Sequence, residues 1–217
     1  MESYTTEVIC MEKKAFRQRT IDEFLDDLGS RTPAPGGGAA AGLLGAQACA
    51  LAEMVCHLTA SNKAYAEFHD KANEYAGLFN MARSIFLDLM DEDAQNFLEL
   101  MDTLRAIHSL PLEERQLKQV EAFKKAIEAP QQMAQTMSDL LPSFTNLLLK
   151  GNKNALSDSI IAAQSAIACI HASIINVKIN LKYIDDEFYE HEMKDIITTW
   201  ENAVSAIDAV LTYQVDL

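Results

Sequence analysis

An all-α fold, a single-domain up-and-down bundle of many helices, is what this 217-residue chain predicts, and three observations carry it. Runs that alternate apolar and polar residues are nearly absent, which leaves little for a β-sheet to use. Apolar residues recur instead three and four apart through most of the chain, interrupted briefly at Gly and Pro. Two long stretches, Gly36 to Ala52 and Ser159 to Val177, contain no charged residue at all. A helix apolar on every face must be surrounded by others, so these two belong at the centre of the bundle.

The elements follow in order. Residues 1–19 read as an N-terminal extension and residues 20–217 as one helical domain. Thr20 and Glu23 have the spacing of a capping box, and Ile21, Phe24, Leu25 and Leu28 then share one helical face that stops at Gly29. Pro33 and Pro35 bar a helix before Gly36, and a long helix runs from about Ala39 to Leu58. The next spans Lys63 to His108, with a break near Gly77 and Leu78, Met81, Ile85, Leu89 and Phe97 at core spacing. Pro111 marks a turn before a helix from Leu112 to Ala129, and Pro130 starts or kinks a further helix that holds Pro142 and ends at Gly151. The second uncharged helix covers Asn154 to Leu181, and a last one runs from Asp185 to about Tyr213. Short connections make neighbouring helices antiparallel.

Composition narrows the function. With 49% hydrophobic and 23% charged residues the chain is an ordinary globular one. A formal net charge of −14 speaks against a nucleic-acid partner or an anionic membrane surface. The uncharged stretches approach spanning length, but they are rich in Ala, Ser and Gly and contain Gln47, Gln164, His171 and Asn176, so buried bundle helices are the better reading. Cys10, Cys49, Cys56 and Cys169 form no CxxC pair, and three lie in apolar helices, as buried thiols of a reducing cytosol do. The acidic start, Met1-Glu2-Ser3-Tyr4, is unlike a signal peptide, and a cytoplasmic location is expected. Because two helices are apolar all round, one copy leaves part of them uncovered, and a homodimer is expected.

Four features could carry chemistry. Pro33-Ala34-Pro35-Gly36-Gly37-Gly38 feeds an alanine-rich helix whose free N–H groups converge as an anion requires, while its small residues equally suit a close helix crossing. Asp158, Asn176 and Asn180 lie on one face of one helix, with Asp158 about 27 Å from Asn176 at 1.5 Å per residue. Buried amides need partners, which a neighbouring helix or subunit could equally supply. Asp88, Asp91, Glu92, Glu99 and Asp102 form a solvated stripe; Asp93 falls off it, toward Leu89, Met90 and Phe97, where a carboxylate has a raised pKa and acts as acid or base. His57 reads as a core residue. Neither ExxH nor HExxH occurs, which speaks against a metal site, and no Gly-x-Ser-x-Gly nucleophile is present.

The spacing of these elements resembles the cyclodeaminase half of formiminotransferase-cyclodeaminase and the related stand-alone cyclodeaminases and methenyltetrahydrofolate cyclohydrolases. The blocks are Thr20 to Leu25, Pro33 to Gly38, Met54 to Thr59, Lys63-Ala64-Tyr65, Asp91 to Ala94 with Phe97, Gly151-Asn152, Ser157-Asp158, and Asn176 to Leu181. The resemblance implies an all-helical dimer and ring closure on a tetrahydrofolate derivative with loss of ammonia, without metal or redox cofactor. It implies Asp93 or Asp158 as proton-transfer groups. Gly36, Gly37, Gly38 and Lys63 then hold a carboxylate or the pterin edge, and Asn176 and Asn180 hydrogen-bond the pterin.

The chain departs from the family pattern at Ala39, where a Ser is usual, at Asn96, and at Ser61, Asn62 and Ala64, where a Gly and two lysines are usual. Three readings therefore stand: cyclodeaminase, cyclohydrolase, and a helical dimer that binds folate or a partner without turnover.

Overall fold

The computed structural model describes residues 14–215, so Cys10 and most of the N-terminal extension lie outside it. Six α-helices carry the fold, and the described residues contain no strand. They are α1 (Ile21–Leu28), α2 (Gly37–Ala60), α3 (His69–Ala106), α4 (Leu112–Lys150), α5 (Leu156–Leu181) and α6 (Glu187–Val215).

The capping box at α1 forms as its spacing predicts. The Glu23 backbone N–H donates to Thr20 Oγ1 at 3.2 Å, and Thr20 N–H donates to the Glu23 carboxylate at 2.7 Å. From α2 onward the chain runs up and down. Asn152 N–H donates to Thr59 Oγ1 at 3.0 Å, which sets the end of α2 against the start of α5. Asn146 Nδ2 donates to Tyr75 Oη at 3.0 Å and Asn96 Nδ2 to the Lys125 carbonyl at 3.3 Å, so α3 and α4 are antiparallel. α6 lies along α4, where Trp200 Nε1, on a fully buried ring, donates to Gln135 Oε1 at 3.0 Å.

The break expected near Gly77 and the helix start expected at Pro130 do not occur. α3 continues through Gly77, and α4 runs 39 residues through Pro130 and, as expected, holds Pro142. Each proline removes one backbone hydrogen bond. A buried stripe that includes Phe123, Ile127, Met133, Met137, Leu141, Phe144 and Leu148 holds the helix against its neighbours and outweighs that loss. The start of the second long helix is also different. Residues Lys63–Phe68 form a 3-10 turn with non-helical angles at Tyr65, and α3 begins only at His69.

The core face of α3 is not the one its large aliphatic residues mark. Leu78, Met81, Ile85 and Phe97 are exposed, and of the five residues at the expected spacing only Leu89 is buried. The buried side carries Ala72, Tyr75, Ala76, Phe79, Ala82 and Phe86 and faces the small residues of α2. A Cβ added at Gly45 would lie 2.5 Å from the Phe86 ring, and one at Gly42 would lie 3.0 Å from Met90 Cβ and the Phe86 carbonyl. The close-crossing reading of α2 is therefore correct for Gly42 and Gly45.

α2 and α5 are long and apolar enough to cross a membrane by length and composition alone. Both are packed into the bundle, α2 against α3 and α5, and α5 against α2 and α4. Neither is fully enclosed. Gln47, Ala50 and Met54 on α2 and Ile161, Ala168 and Ile175 on α5 remain open or half-open, with Glu53, His57 and Arg83 beside Ala50 and Met54.

Candidate active site at the glycine end of the bundle

The bundle end where α2 begins and α5 finishes holds a cavity of ≈ 200 Å³. Gly36, Gly37 and Gly38 form one wall, Asp93 and Phe97 of α3 another, and Asn176 and Asn180 of α5 a third, with Ala126 of α4 opposite. Residues far apart in sequence meet here because α2 and α5 are antiparallel and α3 returns beside α2.

Asp93 is the centre of the arrangement. Its carboxylate lies against the first turn of α2, so closely that a methyl group at Gly38 would overlap it. This is where absence of a side chain matters among the three glycines. A Cβ at Gly36 meets nothing, one at Gly37 makes ordinary contact with the Asn176 amide at 3.9 Å, and no described glycine has positive φ. The helix N-terminus does receive an anion, and that anion is the protein's own Asp93.

Burial pushes the Asp93 carboxyl up to about 6, because charge is disfavoured away from water, while the Ala39 backbone N–H pulls it down. Burial wins. The group therefore changes protonation state close to neutral pH, which suits proton transfer in either direction.

Asn176 Nδ2 donates to the Ala172 carbonyl at 2.9 Å, and Asn180 Nδ2 donates to the Asn176 carbonyl at 3.0 Å. Neither amide bridges to a neighbouring helix. With their N–H₂ groups bound to their own helix, both present carbonyl oxygens as acceptors to the cavity that they line.

Lys63 and Asp158 are not part of this cavity. Lys63 follows the end of α2, and Asp158 lies in the first turn of α5, so both sit at the opposite end of the bundle. The length of α2, 24 residues, separates the two ends by about 36 Å.

Several lining residues are not marked by the sequence pattern. Phe97, expected in the core, lies one turn beyond Asp93, a spacing that makes it a neighbour on the same face. Nothing in the local sequence singles out Ala94 or Ala126. A second cavity of ≈ 580 Å³ adjoins the first and shares Pro33, Ala34 and Ala94 with it. Its outer wall comes from the N-terminal extension. Phe16 N–H donates to Asp91 at 2.6 Å, and Arg19, paired with Asp27, lies 4.3 Å from the centre of the Phe16 ring.

Two other expectations have clear outcomes. His57 is exposed rather than part of the core, 3.7 Å from Glu53, which also accepts from Asn80 Nδ2 at 2.9 Å. Cys49, Cys56 and Cys169 are buried free thiols, and burial pushes Cys56 and Cys169 up to about 12. Among the described residues, no group of three His, Cys, Asp or Glu side chains could hold a metal ion.

A carboxylate raised toward neutral pH at a helix N-terminus, flanked by two amides inside an all-α bundle, suits acid–base chemistry on a small ligand. The family model described as formiminotransferase-cyclodeaminase matches residues 20–199, and the chain belongs to that family. It is 33% identical over 184 residues to the methenyltetrahydrofolate cyclohydrolase of Methylorubrum extorquens, covering 82% of this chain and 86% of that one. It is 28% identical over 183 residues to the formimidoyltransferase-cyclodeaminase of Rattus norvegicus, covering 83% of this chain but 34% of that one. The chain thus spans about a third of the bifunctional relative and most of the cyclohydrolase. The crystal structure of formiminotetrahydrofolate cyclodeaminase from Thermotoga maritima superposes with a TM-score of 0.82 at 29% identity, covering 92% of this chain and 96% of that one.

Proposed function

We propose that the chain is a folate-dependent cyclodeaminase, which converts formiminotetrahydrofolate to methenyltetrahydrofolate and ammonia. The observation that carries this reading is Asp93, a carboxylate with a pKa of about 6 in a small cavity beside two amide acceptors. The anilino nitrogen of the substrate attacks the carbon of the formimino group, which is protonated on its nitrogen, forming a carbon–nitrogen bond. Asp93 as carboxylate takes the anilino proton and delivers it to the amino group on that carbon. The second carbon–nitrogen bond breaks, ammonia leaves with the transferred proton, and the methenyl cation remains. Charge and protons balance without metal or redox cofactor.

The smaller cavity suits the pterin, whose N–H edge meets the Asn176 and Asn180 oxygens, and the adjoining one takes the rest of the molecule. The cyclohydrolase reading is favoured by the Methylorubrum relative, a cyclohydrolase most of whose length this chain covers. There, Asp93 accepts a proton from water as its oxygen adds to the methenyl carbon; one of the two carbon–nitrogen bonds to that carbon then breaks, the hydroxyl proton passes to the released nitrogen, and a formyl product remains.

The open, largely apolar face of α2 and α5 supports a homodimer, and the buried free thiols support a location in the reducing cytoplasm. The test is turnover by Asp93→Asn with the fold intact. A loss of about 100-fold or more supports the reading, in line with the typical contribution of a proton-transfer group, and an unchanged rate overturns it.

A further inference from the structure

The cavity of ≈ 580 Å³ beside the glycine end has the volume of a small-molecule site. Part of its wall lies outside the family match, which begins at residue 20: Lys14, Phe16 and Arg19 line it from the preceding segment. That segment is fastened to the bundle at three points. Phe16 N–H donates to Asp91 at 2.6 Å, Arg17 pairs with Asp88 one turn earlier on α3, and the Phe16 ring meets Phe24 of α1 edge-on at 5.9 Å between centroids.

The lining divides by chemistry. Phe16, Ala94 and Leu98 make an apolar slot, Gln95 adds a side-chain amide, and Lys14 and Arg19 supply cations. Arg19 is held in one orientation. Its Nη1 pairs with Asp27, its Nε donates to the Lys14 carbonyl at 2.9 Å, and its guanidinium carbon lies 4.3 Å from the centre of the Phe16 ring. The side chain is 10% exposed, and its Nη2 has no partner among the described residues. A fixed, planar guanidinium with a donor to spare suits a carboxylate. Lys14 is exposed and has no acidic partner within ion-pair distance among the described residues.

We propose that Lys14 and Arg19 hold a carboxylate of the folate tail while the slot between Phe16 and Leu98 takes its benzoyl ring, so that residues preceding the family domain select substrates with an acidic tail. This rests on the folate reading above and deepens it. With a net charge of −14 on the chain, an anionic tail is held by local cations against the overall field. Two carboxylates share the lining. Asp91 already accepts from the Phe16 N–H, whereas Glu92 is exposed and repels a bound anion.

Binding measured by calorimetry, without oxygen, tests this with two ligands. One is tetrahydrofolate; the other is its amide analogue, in which a neutral carboxamide replaces the glutamate. The wild type is expected to bind tetrahydrofolate about 10-fold more tightly than the amide. Lys14→Ala should weaken tetrahydrofolate about 3- to 5-fold, as an exposed ion pair does, and leave the amide unchanged. Arg19→Ala should cost about 10-fold, again for tetrahydrofolate alone. Because it also removes the partner of Asp27, unchanged affinity for the amide shows that the segment keeps its place. Glu92→Gln should tighten tetrahydrofolate about 2- to 3-fold, a gain that no structural role of Glu92 predicts.

A wild type that binds both ligands equally overturns the tail site and leaves the folate reading standing. So do Lys14→Ala and Glu92→Gln proteins with wild-type affinities, or variants that change both ligands alike. A wild type that binds neither ligand removes the folate reading and the tail site with it.

Discussion

Replacing Asp93 with asparagine removes a charge that the fold holds against a cost, and the effect on stability has a defined sign and pH window. The carboxyl titrates at about 6 in the folded protein against 3.8 for the free group. The folded state therefore binds its proton more tightly than the unfolded state does. Below about pH 4 both states are protonated and the site is at its most stable. As pH rises through 6 the folded carboxylate must ionise in its half-buried position, and stability falls. The difference of roughly 2 units corresponds to up to about 3 kcal/mol, with solvent reaching the cavity mouth making this an upper bound. An asparagine side chain fits the same space and can still accept from the Ala39 N–H, but it does not ionise. The Asp93→Asn protein should therefore match the wild type near pH 4 and exceed it at pH 8, by about 5 to 10 °C in Tm for a chain of this size. Thermal unfolding of both proteins from about pH 4 to 8 measures this. A substituted protein that is less stable at the alkaline end, or a difference that does not vary with pH, would refute the description of Asp93 as a desolvated carboxylate.

Three further outcomes follow from the same geometry. Gly38→Ala overlaps the Asp93 carboxylate and should reduce turnover about 100-fold or more, whereas Gly36→Ala, where a Cβ meets nothing, should change it little; steady-state kinetics separate the two. Asn176→Ala and Asn180→Ala each remove one acceptor and should raise KM roughly 10-fold, read by substrate titration with kcat recorded alongside. Gly77→Ala, in open space inside α3, should stabilise the fold by about 0.5–1 kcal/mol, while Gly45→Ala should destabilise it by about 1–3 kcal/mol because of Phe86; chemical denaturation decides both.

Much of the fold is legible in the residues themselves. The Thr20–Glu23 capping box, the two uncharged stretches and the short turns carry the all-α, up-and-down arrangement, because each is a local signal with a local consequence. The core face of α3 is not legible in that way. Its largest aliphatic side chains, such as Met81 at 66% exposure, point outward, since the close approach to α2 at Gly42 and Gly45 selects small residues and two phenylalanines instead. The reading of Pro130 as a helix start fails for a related reason, as tertiary burial outweighs a missing backbone hydrogen bond, while Pro142 lies inside a helix as expected.

At the site, Asp93 is recognisable because it departs from an acidic stripe toward the apolar side of its helix. Asn176 and Asn180 stand out as amides in an uncharged helix. Ala126 and Ala94 give no sign, because an alanine that lines a cavity looks like any other alanine in a helix. Lys63 and Asp158 are a different matter. They are identifiable as chemically apt, and the spacing along one helix already sets Asp158 about 27 Å from Asn176; that Asp93 packs at the Asn176 end is a property of tertiary arrangement, which one-dimensional spacing does not encode.

The most direct measurement is an absorbance assay of methenyltetrahydrofolate on the purified protein, with formiminotetrahydrofolate supplied in one arm and methenyltetrahydrofolate in the other. Formation of the chromophore with release of ammonia, abolished by Asp93→Asn, is the predicted result. Accelerated loss of supplied methenyltetrahydrofolate, with no formation, would transfer the site to the cyclohydrolase reaction. No change in either arm, from a folded protein that still binds tetrahydrofolate, would contradict the catalytic claim.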